Sequence, residues 1–305
     1  MANIWRSAVR LAIVGTTAVL AAFAQYGQNR VAQPGAVNYV EGTVSVDGRT
    51  ITNQSVGSIN VDEGQTLETA DGKAEMLLTP GIFLRLDDHS AVRMASSALI
   101  NTSVQLQRGK AMVEVDQIAP ENHLTVVDNG ITTQLEKKGI YRFDADTPSV
   151  AVYDGKAVVR VDDRTVDVDK GKQLALTASS NLKPQKFDRN ASNELYAWSK
   201  LRSSYMAEAN TSSAQMIYAA NPWWWYGTGW YWNPWFASWA FVPGGGFLYS
   251  PFGFGFYSPV YVVSGFHGYP GVGRGFRTAP APAFRSGFAG GFRGGFHGGG
   301  FGGRR

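Results

Sequence analysis

The sequence predicts an all-β fold: a sandwich, roll or short β-solenoid of many short strands. One amphipathic helix and a glycine- and aromatic-rich, partly disordered C-terminus follow it. Three observations predict this. Apolar and polar side chains alternate in short runs through the first half of the chain. Asx-Gly pairs punctuate those runs. The composition then changes abruptly after residue 220, where seven of the nine tryptophans and 22 of the 36 glycines lie.

The first 24 residues read as an export signal. Arg6 and Arg10 precede a short apolar stretch, Leu11–Ala22, and Ala22-Phe23-Ala24 offers a small-x-small cleavage site before Gln25. The stretch is shorter than the ~20 residues that span a bilayer. Cleavage after Ala24 is expected, with an uncleaved anchor as the alternative, and no transmembrane helix is expected in the mature chain. The expected location is the periplasm or the cell surface. With no cysteine in the chain, disulfides and thiolate metal sites are excluded.

Residues 36–178 form the predicted β domain. Ala111-Met112-Val113-Glu114-Val115-Asp116 and Val166-Asp167-Val168-Asp169 alternate with period two, so one face is buried and the other wet. Asp47-Gly48, Asp71-Gly72, Asn129-Gly130 and Asp154-Gly155 fall between such runs and suit tight hairpins. The turn spacing predicts about twelve to fifteen short strands.

Residues 187–220 hold the predicted helix. Leu195, Trp198, Leu201, Tyr205 and Met206 recur at helical spacing, with Asn190 or Ser192 as cap and Lys200, Arg202 and Glu208 on the wet side. Its apolar stripe is expected to lie on the β domain.

Residues 221–263 form a Trp/Tyr/Phe-rich segment, and 264–305 a Gly-Phe-Arg-rich tail. No Asp, Glu, Lys or Arg occurs from Ala209 to Gly273, and nine Gly-Phe pairs lie beyond residue 245. The tail has almost no aliphatic bulk to offset its chain entropy and is expected to be disordered. The whole chain carries a formal +4; six arginines and no acid in residues 221–305 leave 1–220 at −2, and removal of Arg6 and Arg10 leaves 25–220 at −4. A basic end on an acidic body points to acidic envelope polymers.

Catalytic spacing is missing: there is no His-Glu-x-x-His, Gly-x-Ser-x-Gly or Walker lysine loop. Asp87-Asp88-His89 reads as a polar turn rather than a metal corner, because a site needs further ligands. The chain is expected not to be an enzyme and to need no cofactor and no metal. The candidate interaction residues are aromatic and basic: Trp223, Trp224, Trp225, Trp230, Trp232, Trp235 and Trp239, with Arg277, Arg285 and Arg293 in the tail. Seven tryptophans hide on the order of 1,000 Å² of surface, against ~300–600 Å² for the largest apolar patch of an ordinary monomer. They are expected to cover the β domain or to meet a partner. Expected partners are an envelope protein or a cell-wall or surface polymer. Self-association is a further route to shelter, and export argues against nucleic acid.

The β region resembles a FecR domain over about Asn38–Ala178. The resemblance is carried by Glu41-Gly42-Thr43-Val44, Gly64-Gln65-Thr66-Leu67-Glu68-Thr69, Gly72-Lys73-Ala74-Glu75-Met76-Leu77-Leu78 and Phe83-Leu84-Arg85-Leu86. It continues through Ser90-x-Val92, Val104-Gln105-Leu106-Gln107-Arg108-Gly109-Lys110-Ala111-Met112-Val113 and Val152-Tyr153-Asp154-Gly155-Lys156-Ala157-Val158-Val159. Familiar members of that family are iron-uptake regulators that cross the inner membrane and control a sigma factor. This sequence shows no cytoplasmic anti-sigma segment before its apolar stretch. What the resemblance implies is an extracytoplasmic interaction domain, as in exported FecR-domain proteins with an aromatic, glycine-rich end. The leading expectation is therefore a non-catalytic envelope scaffold with an aromatic docking segment. A periplasmic sensory component of a FecR-type surface-signalling system is the alternative, and carbohydrate or cell-wall binding through exposed tryptophans is a further one.

Overall fold

A computed structural model of the chain describes residues 32–177, 182–191, 193–220 and 227–267. The predicted leader 1–24, Trp223–Trp225 and the tail arginines lie outside these residues. The chain divides into residues 1–266, which hold every described strand, and residues 267–305, of which only His267 is described.

The fold is all-β, as the alternation predicts, and fourteen strands lie between Val37 and Ala175. Its spine is the antiparallel pair β1 (Val37–Val46) and β3 (Thr66–Leu77), with the short β2 (Arg49–Ile51) folded back on β1. On its other edge β3 forks. Thr66–Glu68 pairs with β5 (Ala91–Ala98), whereas Ala74–Leu77 pairs with β4 (Ile82–Leu86). From β4 one leaf runs through β7 (Lys110–Val115), β10 (Gly139–Asp144), β11 (Ser149–Asp154), β14 (Lys172–Ala175) and β15 (Gln185–Lys186). From β5 the other runs through β6 (Asn101–Arg108), β8 (His123–Asp128), β9 (Ile131–Leu135), β12 (Lys156–Val161) and β13 (Arg164–Asp169). The pair β6 and β8 is parallel; the other named pairs are antiparallel.

The two leaves share one core. Leu84, Val113, Tyr141, Val152 and Leu174 of the first meet Val92, Val104, Val126, Ala157 and Val168 of the second. The sheet is thus continuous in hydrogen bonding and sandwich-like in packing. Because side chains alternate across a strand, each inward residue of the first leaf leaves a neighbour facing out. Those neighbours are Glu75 and Leu77 on β3, Phe83 and Arg85 on β4, Met112 and Glu114 on β7, and Ile140 on β10. They are also buried, so the first leaf is covered on both faces.

The chain changes leaf in very short steps. A single glycine joins β6 to β7 at Gly109 and β11 to β12 at Gly155, with φ of +71° and +97°. A Cβ would stand 2.3 Å from the Ser90 Oγ at the first and 2.2 Å from the Tyr141 hydroxyl at the second. Only glycine fits such a crossing. Of the four Asx-Gly pairs, Asp47-Gly48 and Asn129-Gly130 close hairpins with both residues at positive φ. The other two correct the sequence reading. Asp71-Gly72 lies inside β3 opposite the Gly42 register shift, and Asp154-Gly155 changes leaf.

At the end of β8, next to the Asn129-Gly130 turn, Asp128 is buried. Burial first, then the charges of Asp144 and Asp146, push its carboxyl up to about 6 from 3.8. The folded state therefore holds a proton that the unfolded state has lost, and stability falls as pH rises between those values. Asp128→Asn is expected to raise the urea midpoint at about pH 8 by the equivalent of ~2 kcal/mol and to change it little at about pH 4. An equal gain at both pH values would refute this account.

The helix α1 (Glu194–Ala220) starts where Asn193 Oδ1 accepts the Tyr196 backbone N–H at 2.8 Å, three residues beyond the expected Asn190. It lies on the outer face of the first leaf, with Leu195, Trp198 and Met206 of the predicted stripe packed inward and the rest of the stripe not. Leu201 and Tyr205 are exposed, and Arg202, expected in solvent, is buried with Leu195, Ser199, Ser203, Met206, Ala209, Asn210, Ser213 and Ala214. The sheet under the helix carries charges, so a face of small and polar residues meets it better than a leucine stripe does.

Two hairpins complete this outer layer: β16 (Gly229–Asn233) with β17 (Ser238–Val242), and β18 (Phe247–Tyr249) with β19 (Gly255–Tyr257). A second helix, α2 (Pro259–His267), follows. The sequence reading missed it, and it moves the start of the expected tail from Ser264 to beyond His267.

Candidate functional site

Between the first leaf and α1 lies a buried cluster of charges. Arg85 is fully enclosed. Its Nε donates to Glu75 Oε2 at 2.8 Å and its Nη1 to Glu114 Oε2 at 2.6 Å. From α1, Arg202 Nη2 donates to Glu75 Oε1 at 3.0 Å, and the Ser203 hydroxyl donates to Glu114 Oε1 at 2.6 Å. Asn38 of β1 closes the group, its Nδ2 donating to Glu75 Oε1 at 2.9 Å. Two arginines thus meet two carboxylates across three strands and a helix.

Electrostatics match the geometry. Burial would push the Glu75 carboxyl up, but Arg202 and Arg85, by charge and hydrogen bond, outweigh it and hold it at about 2. Burial lowers the Arg85 guanidinium, and Glu114 and Glu75 more than restore it, so it stays charged. Asp116 is different. Burial and the neighbouring Glu114 raise its carboxyl well above the usual range.

Asparagines tie the aromatic layer to this base. The Trp239 backbone N–H donates to Asn38 Oδ1 at 2.7 Å. Asn210 of α1 donates through Nδ2 to the Phe241 and Tyr257 carbonyls and accepts the Tyr257 N–H at 2.8 Å. Asn233 Nδ2 donates to the Ala209 carbonyl and Ser213 Oγ of α1, and its Oδ1 accepts the Trp235 N–H at 3.0 Å. Each side-chain amide satisfies backbone groups that would otherwise be buried unpaired.

The predicted interaction residues divide. Trp230 is buried edge-on against Phe83 of β4, ring centroids 5.0 Å apart, and against Phe241 at 5.6 Å. Trp239 is buried and meets Trp232 at 5.4 Å, while Trp232 is half-buried. Trp230 and Trp239 are thus core residues and cannot offer their rings to a partner, which corrects their place among the candidates. Trp235, at the tip of the first hairpin, is 82% exposed. Trp223, Trp224, Trp225, Arg277, Arg285 and Arg293 lie outside the described residues.

A second aromatic group, which the sequence reading did not single out, reaches solvent. Phe247 and Tyr249 of β18 and Tyr261 of α2 are 46%, 53% and 37% exposed. Phe247 stands 4.7 Å from Tyr261 and 5.7 Å from Tyr249, and Tyr257 stacks on Tyr261 at 5.9 Å with planes 2° apart. The clue lay in their spacing along Gly246-Phe247 to Val260-Tyr261, an uncharged stretch too short in periodicity to reveal which rings share a face.

Asp87-Asp88-His89 is the polar turn between β4 and β5, with Asp87 paired to Lys73 at 2.5 Å. Among the described residues no three His, Cys, Asp or Glu side chains gather as a metal site would require. Two surface depressions of about 210 and 260 Å³ are smaller than the usual ligand pocket, which is ~300–1,000 Å³. Among the described residues no helix is long and apolar enough to cross a membrane.

No family model and no curated protein matches the chain. Two crystal structures described provisionally as anti-sigma factors, both from Parabacteroides distasonis ATCC 8503, are similar in part. The TM-score is 0.37 for each, with 14% and 13% sequence identity. The similarity covers 44% of this chain and 64% of theirs, less than two thirds of their length.

Proposed function

We propose that the chain is a non-catalytic interaction scaffold of the bacterial cell envelope, with a FecR-like β domain carrying an aromatic outer layer. One observation carries this reading. The charged cluster, the richest concentration of acid–base groups described, is sealed: the side chains of Glu75, Arg85 and Glu114 have no exposed surface. A general acid or base must come within hydrogen-bond reach of its substrate, and these groups meet one another and buried neighbours on the first leaf, α1 and β1. What the outer layer presents instead is a set of held aromatic rings, the residue type enriched at recognition surfaces. Residues 1–24 supply the export signal, and the strand-and-glycine pattern of Asn38–Ala178 supplies the FecR likeness.

The test is cell fractionation with analysis of the mature N-terminus. The full chain should be recovered with the envelope, starting at Gln25. Recovery in the cytosol with Met1 intact, or substrate turnover by the purified chain, would overturn the reading. Truncation at Asn221 is not a suitable variant, because it removes Trp230, Trp239 and Phe241 from the core.

A further inference from the structure

We infer that the solvent face of α1 pairs with the same face of a second copy of this chain, antiparallel about a two-fold axis near Ser204. This goes beyond the scaffold reading and does not depend on it.

The face is apolar at its centre and firm underneath. Leu201 and Tyr205 lie one turn apart and are both exposed. Beside them Trp198 is half-buried against Tyr39 of β1, ring centroids 6.2 Å apart. Tyr39 is itself held, with the Arg202 guanidinium 4.0 Å over its ring and its hydroxyl donating to Glu41 at 3.2 Å. Trp, Tyr and Arg are the residue types that carry most of the binding energy at interfaces. From below, Arg202 and Ser203 are tied to Glu75 and Glu114, and Asn210 to the hairpin backbones. The helix is therefore ordered before it meets a partner, which lowers the entropy cost of association.

The charges on the face select the partner. Glu194 is engaged by Lys73, and Arg202 by Glu75. Glu41, on the β1 side, is bonded to the Tyr39 hydroxyl. Lys200 and Glu208 are exposed and, among the described residues, form no ion pair. They stand four residues either side of Ser204. The face thus reads cation, Leu201, Ser204, Tyr205, anion, an order that is complementary to itself when reversed. An antiparallel second copy sets Lys200 against Glu208 twice and Leu201 beside Tyr205 twice. A two-fold interface repeats each contact in this way. A parallel copy would set Lys200 on Lys200 and Glu208 on Glu208, and like charges in contact oppose association. In the antiparallel register Glu194 lies opposite the uncharged stretch Thr211–Gln215. Ser204, at the crossing, is small enough to let two helices approach closely. An anionic lipid surface calls for a basic helix face, whereas Lys200 is balanced here by Glu208.

Sedimentation velocity of the mature full chain over a concentration series tests this. A monomer–dimer equilibrium in the micromolar range is expected, as suits a small interface. Leu201→Ser, at an exposed position, should weaken it about tenfold or more, the equivalent of ~1.4 kcal/mol. Lys200→Glu and Glu208→Lys should each do the same, because each sets like charges face to face. Mixed in equal amounts, those two variants should form a heterodimer about as tight as the native pair, since every opposed pair then joins unlike charges. The double variant, carrying both changes in one chain, should dimerise again for the same reason. Trp235→Ala, on the first hairpin, should leave the equilibrium unchanged. The melting midpoint of each variant reports that it folds, and Leu201→Ser and the double variant keep the test decisive if a single charge variant does not. A chain that stays monomeric at every concentration would overturn the inference. So would association that is indifferent to folded Leu201→Ser, which places the contact elsewhere on the chain. A mixture of the two folded charge variants that remains monomeric would refute the antiparallel register.

Discussion

Arg85→Met is expected to cost about 3–5 kcal/mol of folding stability, a large part of the ~5–15 kcal/mol of an ordinary domain. The guanidinium is fully enclosed and joins Glu75 to Glu114. Methionine fills much of its volume but leaves carboxylates in a dry interior with fewer donors. Arg202 remains for Glu75, and the Ser203 hydroxyl for Glu114. Equilibrium urea unfolding at neutral pH measures the loss. Adding Glu75→Gln and Glu114→Gln to the same chain should restore most of it, because the penalty arises from unpaired charge rather than from lost volume. Arg202 tolerates that change: its guanidinium also lies 4.0 Å over the Tyr39 ring and retains some exposed surface. A single-variant cost below about 1 kcal/mol would mean that the cluster adds no net stability.

The same cluster sets an acid limit. Glu75 titrates at about 2 when folded and near 4.5 otherwise. Its contribution is complete above the unfolded value and is lost as pH falls toward the folded one. Asp116 acts in the opposite sense. Its folded carboxyl is raised above 3.8, so its contribution is fullest at low pH and is lost as pH rises above that value. Asp116→Asn should therefore steepen acid unfolding and improve stability at neutral pH, read from urea midpoints across the range.

Alternation made the strands legible in the sequence because it is local: Ala111–Val115 exposes its period wherever the strand sits. The turn pairs were legible in part. Asn-Gly and Asp-Gly report that a positive φ is tolerated, but not which strands will pair on either side. Asp47-Gly48 and Asp154-Gly155 look alike in sequence, yet one closes a hairpin and the other crosses between leaves. The charges on the outer face were misread for a related reason. Glu75, Arg85 and Glu114 alternate with apolar neighbours, a pattern that in Ala111–Asp116 reads as one buried and one wet face. That face is interior only because α1, more than eighty residues further along, lies on it. A charge set among apolar residues in each of three adjacent strands, as in Phe83-Leu84-Arg85-Leu86, was the available signal. The helix face followed from the same missing fact, since Arg202 is drawn inward by Glu75.

Trp230→Ala is expected to cost about 3–5 kcal/mol, in the range for deleting a buried indole, and to lower the stability of the β domain as a whole. The reasoning is spatial. Trp230 lies against Phe83 of β4, whose neighbours Leu84 and Leu86 face the sandwich core, and β17, its hairpin partner, is held to β1 through Asn38. The aromatic hairpin and the leaf beneath it therefore share one packing layer, and a cavity there loosens both. Trp230→Phe should cost much less, because the buried indole N–H has no hydrogen-bond partner to lose. Trp235→Ala should be close to neutral, its ring being mostly in solvent. Denaturation followed at the same time by far-ultraviolet circular dichroism and by tryptophan fluorescence checks the cooperativity. Coincident transitions, shifted together by Trp230→Ala, are expected. A separate early fluorescence transition, with the β signal unmoved, would show that the aromatic layer is a detachable cover rather than part of the core.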